Sequence, residues 1–168
     1  MDAGIKALFS VGVFAGITQL DGGLRRILVN VRADQERQKQ LAGLPADWKG
    51  VIVDLPGGGV LTTDASFEAA LLREVLEETE CRAQIAGPVL LAPELIRPDG
   101  QKPIYDVALI WPVAILGVPQ PTAEASGHLW ITPSDIANEL NVRFPGKLGK
   151  NGRSARMALA ALYWWCNH

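Results

Sequence analysis

Leu55-Pro56-Gly57-Gly58-Gly59-Val60-Leu61-Thr62-Thr63-Asp64-Ala65-Ser66-Phe67-Glu68-Ala69-Ala70-Leu71-Leu72-Arg73-Glu74-Val75-Leu76-Glu77-Glu78-Thr79 is the stretch that decides the fold. It opens on a glycine-rich turn and runs on into a helix from about Ser66 to Glu80. Each helical residue advances about 100°. With Glu74 at zero, Glu77 falls at about −60° and Glu78 at about +40°, so the three carboxylates share one face. Ala69, Leu72, Val75 and Leu76 fall on another side, suited to packing on a sheet.

Like charges at these spacings repel by roughly a few tenths of a kcal/mol per pair on an isolated helix. Crowding and partial burial raise that repulsion. A hard divalent cation offsets it, because Mg²⁺ or Mn²⁺ prefers carboxylate oxygen, and phosphate esters are its usual second partner. Gly57, Gly58 and Gly59 let the backbone pass close to other groups and offer carbonyls or amides to a metal or phosphate. Glutamates also decorate exposed helices simply for solubility, so Glu-x-x-Glu-Glu alone is a weak signal. The glycine turn before it and Arg73 beside it make it a stronger one.

Outward from this stretch the chain alternates strands and helices. Leu8 to Thr18 reads as a strand, Asp21-Gly22-Gly23 as a turn and Ile27 to Val31 as the returning strand of a hairpin. Arg32 to Gly50 is a polar loop with room for one helical turn, and Val51 to Leu55 is a short strand stopped by Pro56 and the glycines. Ile85 to Leu91 and Ile104 to Ile115 read as further strands, with the loop Arg97 to Pro103 between them. Trp130-Ile131-Thr132 precedes a short helix over Asp135 to Leu140. In the last helix Asn151 or Ser154 is the candidate cap, and Ala155, Leu159, Leu162 and Cys166 form an apolar stripe. The pattern is α+β, a mixed sheet with helices packed on it.

The chain has 168 residues, 48% hydrophobic and 20% charged, which suits a single domain over 1–168. Its net charge of −2 names no partner, but six of the 18 acids lie between Asp64 and Glu80, and none follows Glu139. That balance argues against nucleic-acid binding. No apolar run is long enough to span a bilayer. Ala7 to Ile17 imitates a signal peptide but is broken by Gly12 and Gly16, and reads better as a strand. Two cysteines, Cys81 and Cys166, make no disulfide framework, so a reduced, cytoplasmic setting is expected.

These residues resemble the Nudix hydrolases, whose signature reads Gly, five residues, Glu, seven residues, Arg-Glu, an apolar residue, any residue, Glu-Glu, any residue, Gly, an apolar residue. Pro56-Gly57-Gly58, Arg73-Glu74-Val75-Leu76-Glu77-Glu78 and Cys81 fit it. The resemblance implies an α/β/α sandwich around a mixed sheet and hydrolysis of a pyrophosphate bond in a nucleoside diphosphate linked to another moiety. It implies Glu77 and Glu78 as metal ligands, Glu74 as ligand or orienting group, Arg73 as the group that holds the carboxylates, and a carbonyl of Gly57 or Gly58 completing a Mg²⁺ or Mn²⁺ site. It also implies a general base on a later loop: Glu124 first, then Glu94 or His128. Gly57, Gly58, Gly59 and Arg97 are the candidate substrate contacts, with Lys102 beside them. Trp48, Tyr105, Trp111 and Trp130 either stack a base or fill the core.

Two positions depart from the signature. Ala65 stands where counting back from Arg73 puts the first Glu, so either Asp64 substitutes or nothing does. Glu80 replaces the glycine after the helix, so it either takes a left-handed cap at about 1 kcal/mol or the helix runs on toward Arg82. The rival reading is a nucleotide-binding module with weak or no turnover. The partner is a small nucleotide, whose identity lies in loops outside the signature. A homodimer through the first strands is a further possibility.

Overall fold

The computed structural model describes residues 8–96, 104–138, 140–144 and 152–167. The elements in chain order are β1 (Leu8–Asp21), β2 (Leu24–Arg32), α1 (Gln35–Leu41), β3 (Val51–Asp54), β4 (Gly57–Gly59) and α2 (Phe67–Thr79). They continue with β5 (Arg82–Ile85), β6 (Leu90–Ile96), β7 (Ile104–Leu116), β8 (Ala125–Ile131), α3 (Pro133–Ala137), β9 (Val142–Arg143) and α4 (Gly152–Asn167). The result is the expected α+β sandwich around a mixed sheet. Strand β1 runs parallel to β7, with Phe14 opposite Ile110, and antiparallel to β2 through the hairpin at Gly22 and Gly23. Both glycines have positive φ, the conformation such a turn demands.

Period-two alternation sends neighbouring side chains of each strand to opposite faces. Val13, Ala15 and Ile17 of β1, Leu28 of β2, and Trp111 and Val113 of β7 pack with Ala70, Leu71 and Val75 of α2. Phe14, Ile27, Val29 and Ile110 face the other way, onto Ile136 of α3 and Ala155, Met157, Ala158, Ala161 and Leu162 of α4. Each face of the sheet therefore carries an apolar layer covered by helix.

Several boundaries differ from the sequence expectation. Gly57–Gly59 do not merely stop a strand; they form one, pairing antiparallel with Gly12, Val13 and Phe14. The strand expected over Ile85 to Leu91 is two strands, β5 and β6, broken around Gly87, which lies against the Trp164 ring. The short helix starts earlier, at Pro133, because Thr132 caps it and Asp135 returns the bond in a capping box. In α4, Leu159 and Cys166 are exposed while Met157, Ala158 and Ala161 are buried, so the stripe is rotated from the expected one. Along Gly12–Phe14 and Asn30–Val31 the first strands are bonded on both sides within the chain.

Candidate active site

Ser66 caps α2 by accepting from the Ala69 amide at 3.1 Å. At the far end Glu80 takes the left-handed cap with φ 56°, and its amide donates to the Leu76 carbonyl. The helix thus stops where a glycine would normally end it. Its buried residues are Ala70, Leu71, Val75, Glu78 and Thr79, whereas Leu76 is 51% exposed. The expected packing face is therefore turned: Leu76 lies outside, and the stripe that meets the sheet carries a glutamate.

The three carboxylates share a side of α2 but lie at different depths. Glu78 is 5% exposed. Its Oε2 accepts from the Gly57 amide at 2.7 Å and from Asn30 Nδ2 at 2.9 Å. Glu74 is half-buried, with its carboxylate against Gly58, where a Cβ would stand 2.7 Å from Oε2. Glu77 lies at the rim with a side chain 53% exposed.

The three glycines therefore have different reasons. Gly57 has φ 144° and a Cβ there would strike the Val13 carbonyl. Gly58 makes room for Glu74, and Gly59 faces open space.

Arg73 binds the rim. Its Nε and Nη2 donate to the two oxygens of Asp64 at 3.0 Å each, a bidentate pair. Its Nη1 donates to Glu74 and to Glu77 at 2.9 Å, and Nη2 also reaches the Gly59 carbonyl. Asp64, not Ala65, is the residue before the helix whose carboxylate pairs with Arg73. One extra residue between Asp64 and Arg73 is absorbed by the turn, where Asp64 also accepts from the Leu61 amide.

Electrostatics follow depth. Burial, with the charges of Asp54 and Glu74 added, pushes the Glu78 carboxyl up to about 8 against the pull of the Gly57 amide and Asn30. Burial also raises Glu74, with Glu77 and Glu124 adding to the rise and Arg73 opposing it. The Arg73 guanidinium holds Asp64 below the ordinary carboxylate range.

Beneath Glu78 the sheet is polar. Asn30 pairs with Asp54 on β3 and with His128 on β8, so the three form one row across the sheet. None but His128 was singled out from sequence. An asparagine inside the apolar run Ile27 to Val31 is the signal that was there to be read. His128 Nε2 lies 3.0 Å from the Glu78 carbonyl, which only accepts, so that nitrogen carries the proton. Burial lowers the His128 pKa. The imidazole is thus engaged at Nε2, and Nδ1 is the nitrogen left as acceptor.

Of the base candidates, Glu124 is exposed and its charge is felt by Glu74. The side chains of Glu94 and Tyr105, and residues Arg97 and Lys102, lie outside the described set. Trp111 is a buried core residue, whereas Trp130 is partly buried and packs on the same core. The Trp48 ring lies on Gly50.

Among the described residues no three Asp, Glu, His or Cys side chains already converge on a point fit for a cation. N–H donors of Arg73, Gly57 and Asn30 hold the anions instead. The donor chemistry nevertheless fits a hard divalent ion. It is all oxygen, and Glu78 carries the burial and like-charge strain that a cation relieves. No helix among the described residues is long and apolar enough to cross a membrane.

A family model described as NUDIX domain matches residues 12–150. Among solved structures, the chain is similar to a MutT NUDIX hydrolase from Burkholderia pseudomallei, at 20% identity and TM-score 0.55 over 92% of this chain and 98% of that one. It is similar to a C. elegans Ap4A hydrolase at 14% identity and TM-score 0.55, covering 94% and 96% of the two chains. It is similar also to an ADP-ribose pyrophosphatase from Streptococcus suis at 18% identity and TM-score 0.53, covering 93% and 91%. The search of curated proteins found no match.

Proposed function

The chain belongs to the NUDIX domain family, and on that premise we propose that it is a metal-dependent pyrophosphohydrolase. Its substrate is a nucleoside diphosphate linked through the phosphoanhydride to another group. The single observation that carries this is the burial of Glu78, with Glu74 beside it, against the backbone of Gly57 and Gly58. A solubilising glutamate would turn outward. These two turn inward, toward the glycine strand Gly57–Gly59, whose bare backbone suits close approach to a phosphate.

Glu74, Glu77 and Glu78, with the carbonyl of Gly58 or Gly57, would hold Mg²⁺ or Mn²⁺. The ion supplies Lewis-acid polarisation of phosphoryl oxygen and a lowered pKa of bound water. Arg73 fixes the directions of Glu74 and Glu77 through charge-assisted bonds, and Asp64 fixes Arg73. Glu124 takes the proton of the attacking water, being exposed and electrostatically coupled to Glu74. Backbone groups of Gly57 to Gly59 and the Arg97 side chain meet the phosphates. Ap4A and ADP-ribose, after which two of the similar enzymes are named, both fall within this substrate class. Free Cys81 and Cys166 agree with a reducing, cytoplasmic setting.

The test is a panel of nucleoside diphosphate derivatives assayed with Mg²⁺ and Mn²⁺, products identified, on wild type and on Glu77→Gln and Glu78→Gln. Metal-dependent release of a nucleotide by wild type, abolished in both variants, is expected. Undiminished hydrolysis in the variants overturns the assignment. Nucleotide binding by wild type without turnover overturns the enzyme reading.

A further inference from the structure

We propose that Asn30 is a positioning residue of this site, holding the Glu78 carboxylate in its metal-binding direction from the opposite side of the sheet–helix interface. The inference rests on the reading of Glu78 as a metal ligand.

Asn30 sits in the middle of β2 and is 2% exposed. On the same face two residues earlier stands Leu28, which packs in the apolar core under α2. A leucine at position 30 would continue that core with nearly the same side-chain shape. Asparagine does not serve packing there. Its Nδ2 donates to Glu78 Oε2 at 2.9 Å, while its Oδ1 is buried and has no hydrogen-bond partner among the described residues. Buried polar atoms are almost always partnered, so an orphan acceptor marks a side chain oriented by another demand. That demand is Glu78 Oε2, which accepts here from Asn30 and from the Gly57 amide, and an acceptor selects the amide's N–H end.

The choice of a neutral donor also has a reason. Arg73 already brings a full positive charge to Glu74 and Glu77 at the rim. A second cation beneath Glu78 would cancel the field that attracts a divalent ion. An amide fixes the direction of the carboxyl group and adds no charge of its own. With the Gly57 amide on the same oxygen, Glu78 is gripped between β2 and β4. Asn30 touches no reacting atom in this scheme; it acts through Glu78, as outer partners of metal ligands do.

The experiment measures Mn²⁺ affinity by titration calorimetry, and melting temperature without metal, for wild type, Asn30→Leu, Glu78→Gln and the double variant. Asn30→Leu is expected to weaken Mn²⁺ binding roughly tenfold without lowering the metal-free melting temperature. In the Glu78→Gln background, the same change is expected to have no further effect. Asn30→Val carries the same test should the leucine variant fail to fold. Wild-type affinity in Asn30→Leu and Asn30→Val, with Glu78→Gln weakened, overturns the role of Asn30 alone. So does a weakening that persists in full in the double variant. Undiminished affinity in Glu78→Gln overturns the metal reading of Glu78, and this inference with it.

Discussion

The face of the sheet under α4 and the face under α2 are built from the same strands, yet they end differently. Under α4 the alternating residues Phe14, Ile27, Val29, Ala108 and Ile110 meet Ala158, Ala161 and Leu162 in an apolar layer. Under α2 the layer starts the same way, with Leu28 against Leu71 and Val75, and then turns polar. Asp54, Asn30 and His128 form the next row, and Glu78 lies on it. One face is what burial selects when stability is the only demand. The other gives up apolar contact for a buried carboxylate, an arrangement that destabilises unless something compensates. A sheet whose two faces differ in this way marks its site by the place where the packing logic stops.

The sharpest way to break that contrast is to neutralise the polar end of the α2 face. Glu78→Gln is expected to lower kcat by about a hundredfold or more while the metal-free protein melts no lower than wild type. Equal loss of activity and stability would erase the distinction between the faces. On the α4 face the converse holds. Ile110→Ala is expected to destabilise by about 2–5 kcal/mol in urea unfolding, with kcat of the folded fraction unchanged.

The pH dependence sharpens the comparison further. Glu78 has its folded pKa raised to about 8 by burial. Between its ordinary unfolded value and about 8 the folded state therefore holds a proton that the unfolded state has lost. Stability of the metal-free protein is full below that window and falls as pH rises through it, by at most about 1.4 kcal/mol per pH unit. Thermal melts from pH 5 to 8 should show the decline, and Glu78→Gln should flatten it. Because burial lowers the His128 pKa and so acts in the opposite sense, the test is the difference between the two proteins: equal slopes in wild type and Glu78→Gln would contradict the burial of an ionisable Glu78. The smallest effect is expected at the end of the helix. Glu80→Gly relieves a left-handed non-glycine residue and should stabilise by roughly 0.5–1 kcal/mol, seen as a higher melting temperature with unaltered turnover.

Much of this was legible in the residues. The hairpin at Gly22-Gly23, the central helix and the long strand from Ile104 follow from local turn chemistry and periodicity, which act over a few residues. The helix's rotation was not legible, because the angular positions of Leu76 and Glu78 do not say which of them meets the sheet. Only the grip of Gly57 and Asn30 on Glu78 decides it. Asp64 was ambiguous for a similar reason: the length of a turn is not readable from spacing, whereas the bidentate contact with Arg73 is unambiguous. Asn30, Asp54 and His128 come from three strands far apart in the chain, so no local pattern announces their row.

The central claim is that the inward-facing glutamates of α2 gather a divalent cation against the glycine strand. A crystal soaked in manganese and measured for anomalous scattering tests it most directly. The account predicts a peak in contact with the carboxylates of Glu78 and Glu74 and the backbone at Gly57 or Gly58, with Glu77 swung in from the rim. A map with no peak there, and with Glu78 still bound only to Gly57 and Asn30, would contradict it.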